Sequence, residues 1–214
     1  AASRSPVRST RAAGKAGKLF MVAYCHRFHE PNVMVKRAID AGEFGKLTTY
    51  RNIFANSAGY RPTRGGSLMD NGSHAADLMR FFAGGEFEVV GAQFRPAGMT
   101  DLDKVVDFSA LLCGPDKMMG YLEAGGSHAG GRALIEIAGQ KQSIVYDYGD
   151  TIRWFRNGNW ETVQLGKIPS RFHRQAEHFL DCLEGKTACR VDVAEAQKTM
   201  VVLDRIRRKA LGLA

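Results

Sequence analysis

The stretch SIVYDYGDTIRWFRNGNWETVQL, residues 143–165, decides the fold class. Three short runs, Ser143–Tyr148, Ile152–Arg156 and Trp160–Leu165, alternate or cluster apolar residues at strand length. Gly149-Asp150 separates the first two, and Asn157-Gly158-Asn159 the last two. An Asn-Gly pair between strands supplies the two positive-φ residues of the tight hairpin turn that matches strand twist. Such short connections join only antiparallel neighbours.

The same pattern extends upstream. Phe87–Phe94, Val105–Cys113, Lys117–Glu123 and Ala133–Ala138 read as strands, punctuated by Gly114-Pro115-Asp116 and Gly139-Gln140. Leu47–Ala55 adds another, and the apolar run Leu19–Tyr24 reads as a buried strand. Between these, Pro31 opens a helix to about Ala41 on Val35, Ala38 and Ile39, stopped by Gly42. A second helix begins around Asp70 and ends at Ala83, before Gly84-Gly85, with Ala75, Leu78 and Phe82 toward a core. Ser57–Gly66 reads as a loop. Two helices close the chain. Phe172–Glu184 is expected to pack through Phe172, Ala176, Phe179, Leu180 and Leu183, and Val193–Ala210 to be capped by Asp192 with Glu195 completing a capping box. The expected fold is α+β: one large, mostly antiparallel open β-sheet with helices packed on one face.

The 214 residues suit one domain, 44% hydrophobic and 24% charged, with no apolar run long enough to span a membrane. Residues 1–18 carry Arg4, Arg8, Arg11, Lys15 and Lys18 and no acid, so most of the net charge of +8 sits in that segment. They read as a basic, poorly ordered terminus ahead of a domain spanning 19–214. A nucleic-acid binder would concentrate its charge on the fold, so that class is excluded along with a membrane protein. Cys25, Cys113, Cys182 and Cys189 form no C-x-x-C pair, which points to reduced thiols in a cytoplasmic protein.

Chemistry concentrates in Asp70-Asn71-Gly72-Ser73-His74-Ala75-Ala76-Asp77-Leu78, after Gly65-Gly66. Asp70 and His74, four residues apart, would share one helix face, and a carboxylate beside an imidazole forms a proton-transfer pair. The bland reading is a helix-terminal Asp with an exposed His. Asp70, His74 and Asp77 also suit a divalent metal, but no fourth ligand is indicated, so no metal site is expected. His26, His29, His128, His173 and His178 have no comparable sequence neighbours and read as structural or exposed. No two glycines stand one residue apart, so the glycine-rich dinucleotide fingerprint does not occur here.

Taken in order, Phe20–Phe28 (FMVAYCHRF), Ala41–Lys46 (AGEFGK), Gly66–Leu78 and Ala176–Gly185 (AEHFLDCLEG) resemble the C-terminal domain of the glucose–fructose oxidoreductase/inositol dehydrogenase (Gfo/Idh/MocA) family. The resemblance implies one half of an NAD- or NADP-dependent oxidoreductase acting on a sugar, polyol or related hydroxyl or carbonyl compound. It implies Asp70 and His74 as catalytic residues, with His74 the acid/base on the reacting hydroxyl. It puts Tyr24, Arg27 and Asn71 where substrate would be touched. The family's Rossmann domain, with its glycine turn and its lysine in a Glu-Lys-Pro motif, has no counterpart in this sequence. The domain alone is therefore expected to be inactive and to bind no dinucleotide tightly. The other reading of the same resemblance is a non-catalytic dimerisation or regulatory module. The strands hold Val106, Phe108, Met119, Tyr121, Ile135, Ile137, Tyr146, Trp154 and Phe155, too much apolar surface to leave wet on both sides, so a homo-oligomer through the sheet is expected.

Overall fold

A computed structural model describes residues 15–55 and 65–213. Most of the expected basic segment, and all but the end of the Ser57–Gly66 loop, lie outside the described residues. Strands β1 (Leu47–Ala55), β2 (Glu88–Arg95), β3 (Asp107–Cys113), β4 (Met119–Gly125), β5 (Arg132–Gly139), β6 (Ser143–Tyr146), β7 (Thr151–Arg156) and β8 (Asn159–Gln164) form one sheet, in the order β2-β3-β4-β1-β5-β6-β7-β8. Every neighbouring pair is antiparallel except β1 with β4. That parallel pair exists because β1 is inserted between β4 and β5. The β7–β8 hairpin turns on Asn157 and Gly158, both with positive φ, as the Asn-Gly pair demands.

Four helices longer than a single turn, α1 (Glu30–Asp40), α2 (Asn71–Ala83), α3 (Arg171–Leu183) and α4 (Val193–Ala210), accompany the sheet among the described residues. Helix α2 lies against β1 and β4, and α4 against β2. Between that layer and the sheet, Tyr50, Phe82, Phe94, Leu122, Ile135 and Ile137 are essentially inaccessible to solvent. Strand alternation divides the expected apolar set. Phe108, Ile135, Ile137, Tyr146 and Trp154 are buried, whereas Met119 on the opposite face is exposed, as is Leu111.

Four expectations are corrected. Leu19–Tyr24 is not a strand. Its backbone bonds locally, with Tyr24 N–H donating to the Val22 carbonyl, and reaches out once, from Val22 N–H to Val191. Its side chains instead form a small separate cluster around Tyr24, Phe28, Val191 and Ala196. Helix α3 does not pack through its apolar stripe: Phe172, Leu180 and Leu183 are exposed and His178 is the buried residue, because α3 meets the fold at the 3-10 turn Cys25–Phe28. Strand β6 stops at Tyr146 because Tyr148 takes a positive φ of 65° that no strand continues. Asp192 does cap α4 by accepting from Glu195 N–H, but the Glu195 carboxylate turns to Arg27, Arg80 and Lys198, so the box is half made.

Candidate active site

Helix α2 is launched by a single helical turn, Gly66–Met69, and Asp70 is the joint between the two. The entry is built on glycine. Gly65 and Gly66 both take positive φ, and a Cβ at Gly66 would lie 1.9 Å from the Leu102 carbonyl oxygen. At Gly72 a Cβ would meet the Phe108 ring at 2.5 Å, so glycine lets α2 seat directly on β3. Asp70 is accordingly not in the helix. Its ψ of −98° places it at the N-cap, ahead of His74 in the first turn, rather than a helical turn above it. Its charge nonetheless acts on the imidazole, favouring the protonated ring. Burial is the larger influence, and with the Arg171 cation it holds the His74 pKa below the ordinary 6.5.

His74 faces a nest of rings from other elements. Tyr24 meets it edge-on at 5.9 Å between centroids and His26 at 4.9 Å. His26 in turn meets Phe54 of β1 and Tyr148 beyond β6, each at 5.2 Å. His29 lies 6.4 Å from Tyr148 in a stacked arrangement. Burial, then the fields of His74, Arg171 and His29, drive the His26 pKa down to about 2. Burial and the Arg171 and Arg174 cations take His29 to about 4. Both rings are therefore neutral at ordinary pH. Tyr148 is stacked on Phe54 and tied to Asn52, and its left-handed backbone is costly for an aromatic residue. The network orients it against His26.

The other expected site residues divide. Tyr24 is buried beside His74, and burial raises its pKa far above 10, so its phenol stays protonated. Asn71 donates from Nδ2 to the Phe54 carbonyl at 3.3 Å, pinning the start of α2 to β1. Arg27 is turned away from solvent into the protein. Its Nε and Nη2 donate to the two Asp77 oxygens at 2.8 and 2.7 Å, and Nη2 also reaches Glu195 at 3.1 Å. Burial opposes its charge, but Asp77 and Glu195 outweigh that and raise its pKa. Asp77 is thereby committed to Arg27 and Thr199, away from Asp70 and His74.

Sequence reasoning missed His26 and Tyr148. In sequence His26 reads as structural or exposed, yet the 3-10 turn Cys25–Phe28 brings its ring to 4.9 Å from that of His74. Its only sequence signal is its place in the quoted FMVAYCHRF segment. Away from this nest, His128 pairs with Glu123 and His173 with Glu177, while buried His178 accepts from Arg190 N–H.

Tight dinucleotide binding requires a strand leading through a glycine-rich turn into a helix N-terminus. Among the described residues no such unit occurs, so they do not fit the pyrophosphate of NAD or NADP.

Comparison with known proteins bears on the family and the fold. Residues 32–145 match the GFO/IDH/MocA C-terminal domain. A 1-carboxy-3-chloro-3,4-dihydroxycyclohexa-1,5-diene dehydrogenase of Comamonas testosteroni is 30% identical over 87 residues, 36% of this chain and 22% of that protein. Among solved structures, aldose-aldose oxidoreductase from Caulobacter crescentus, complexed with glycerol, aligns with a TM-score of 0.84 at 22% identity over 96% of this chain and 65% of its own. A levoglucosan dehydrogenase in complex with NADH and levoglucosan aligns with a TM-score of 0.82 at 18% identity, over 97% of this chain and 68% of its own. The chain thus spans about two thirds of these structures and about a fifth of the Comamonas relative.

Proposed function

Because this chain belongs to the GFO/IDH/MocA family through its C-terminal domain, we propose that it is the substrate-binding and proton-transferring half of an NAD- or NADP-dependent oxidoreductase acting on a sugar, polyol or related hydroxyl or carbonyl compound. The observation that carries this reading is His74: a partly buried imidazole in the first turn of α2, its pKa lowered by burial, under the charge of Asp70 and against the rings of Tyr24 and His26. Oxidising an alcohol releases a proton along with the hydride, and a neutral imidazole is the side chain best suited to take it near neutral pH. A nicotinamide held by a separate nucleotide-binding domain would supply the hydride acceptor. Asp70 stabilises the imidazolium that forms, and Tyr24 and His26 wall the ring in.

The glycerol and levoglucosan bound by the two solved oxidoreductases support a polyhydroxylated substrate. The four cysteines, all free thiols, are consistent with the reducing cytoplasm. No helix among the described residues is long and apolar enough to cross a membrane. Assembly with a second copy through the open sheet face is part of this reading, supported by exposed Val90, Leu111 and Met119 on β2, β3 and β4. An assembly role without catalysis is the competing reading.

The test is the pH dependence of alcohol oxidation by a protein joining this chain to its nucleotide-binding domain. Its acid limb should lie below pH 6.5, because the base must be neutral and burial lowers its pKa. Asp70→Asn removes the field that favours the imidazolium and should move that limb lower still. A limb that Asp70→Asn leaves in place removes Asp70 from the mechanism.

A further inference from the structure

Cys25 takes no part in the proton chemistry, yet its side chain lies beside His74, the proposed base, and His26, which walls it in. One ligand atom each from Cys25, His26 and His74 lie within 4.8 Å of one another. Cys25 and His26 are 5% and 4% exposed, and Cys25 is a free thiol. The Nδ1 atoms of both His26 and His74 are buried with no hydrogen-bond partner. An unpaired buried nitrogen costs roughly 1–3 kcal/mol, and each of the two imidazoles that share this cluster with the thiol carries one.

We propose that Cys25, His26 and His74 form a three-ligand binding site for a transition metal of the zinc class, with a fourth position left open. One sulfur and two imidazole nitrogens select a borderline ion such as zinc over magnesium or calcium, which take oxygen ligands. Metal–sulfur and metal–nitrogen bonds of roughly 2.3 and 2.0 Å set ligand atoms about 3.5 Å apart, so closing on the ion asks side-chain shifts of about 1 Å. The frame is held for this. Asn32 Nδ2 donates to the His26 carbonyl at 2.7 Å, fixing the turn that bears two ligands. The third sits one turn inside α2. The Arg171 cation, which acts on both histidines, opposes a bound ion. Ionisation of the Cys25 thiol on binding, with its proton passing to solvent, offsets that repulsion, and the Asp70 charge adds to the offset.

The site has a consequence that rests on the proposed function. A His74 that ligates metal cannot accept a substrate proton, so occupancy would switch the oxidoreductase off. The site itself does not depend on that reading.

Titration of the purified, reduced chain with cobalt(II) tests it. One equivalent should give a thiolate-to-cobalt charge-transfer band with the visible bands of a four-coordinate ion, and zinc should displace it. Cys25→Ser should abolish the charge-transfer band, and His26→Gln and His74→Asn should each weaken binding at least ~10-fold. Cys182→Ser, beside His178 on α3, should change nothing. A band absent from the folded wild-type chain overturns the site. So does a band that survives Cys25→Ser or disappears with Cys182→Ser. Should Cys25→Ser not fold, the partly exposed His74→Asn decides alone, and a full-strength cobalt spectrum there overturns the assignment. A cobalt spectrum without loss of activity on metal binding would retain the site and remove its inhibitory consequence.

Discussion

Arg27 and Asp77 form a bidentate ion pair at 2.7–2.8 Å across fifty residues of sequence, with both side chains almost wholly buried. The pair ties the turn bearing Cys25 and His26 to α2, the helix bearing His74, and Glu195 and Thr199 of α4 join the same network. Removing one partner strands a buried charge. Asp77→Ala should cost about 3–5 kcal/mol in chemical denaturation. A loss below about 1 kcal/mol would show that the pair does not hold the two walls together.

Stability should fall earlier on acidification than carboxylate titration alone allows. Folded His26 and His29 titrate at about 2 and about 4, against 6.5 when unfolded. Below pH 6.5 the unfolded chain takes up protons that the folded rings refuse, so stability is complete above that pH and drains as pH falls toward the folded values. Between pH 7 and pH 5 this amounts to about 2 kcal/mol per ring. Glu195 acts lower. Partial burial opposes its charge, but hydrogen bonds from Lys198, Arg27 and Arg80 hold it at about 2, so its contribution is lost below about pH 4.5. Melting curves in metal-free buffer at pH 7 and pH 5 measure the first effect, and His29→Asn should reduce it. An unchanged midpoint over that window would contradict the burial of both rings.

Gly66→Ala should be among the most damaging small substitutions. It combines a positive φ of 66° with a Cβ 1.9 Å from the Leu102 oxygen. The backbone must shift, taking Asp70 with it. The expected outcome is a stability loss above about 2 kcal/mol, with turnover of the joined enzyme reduced beyond what Gly98→Ala causes. Gly98 also has positive φ, but has open space at its Cβ. Equal effects at both positions would show that steric exclusion at Gly66 does not matter.

The strands were legible because alternation and turn chemistry are local: β1 and all seven strands from β2 to β8 lie where apolar runs and Gly, Pro or Asn-Gly turns put them. What was not legible depends on tertiary partners. Leu19–Tyr24 has the composition of a strand but sits apart from the sheet, on Val191 and Ala196. The apolar stripe of α3 is plain in sequence, yet sequence does not say which face meets the fold. Asp70 and His74 were found together because they are neighbours in sequence. His26 and Tyr148 were not, because only folding brings them to His74 and to one another.

If the open sheet face joins two copies, a charge placed in its apolar patch should separate them. Leu111 and Met119 lie on adjacent strands and are 54% and 64% exposed. Leu111→Glu with Met119→Glu should move the sedimenting species from dimer or larger assembly to monomer, with little loss of monomer stability. A wild-type chain that is already monomeric at micromolar concentration would remove the assembly proposal.

The proposed proton-transfer role of His74 is measured most directly by turnover and nucleotide affinity of His74→Ala in a protein that joins this chain to a nucleotide-binding domain. The expected result is a kcat lower by about 10²–10⁴-fold with nucleotide binding nearly unchanged; wild-type turnover in that variant would contradict the role.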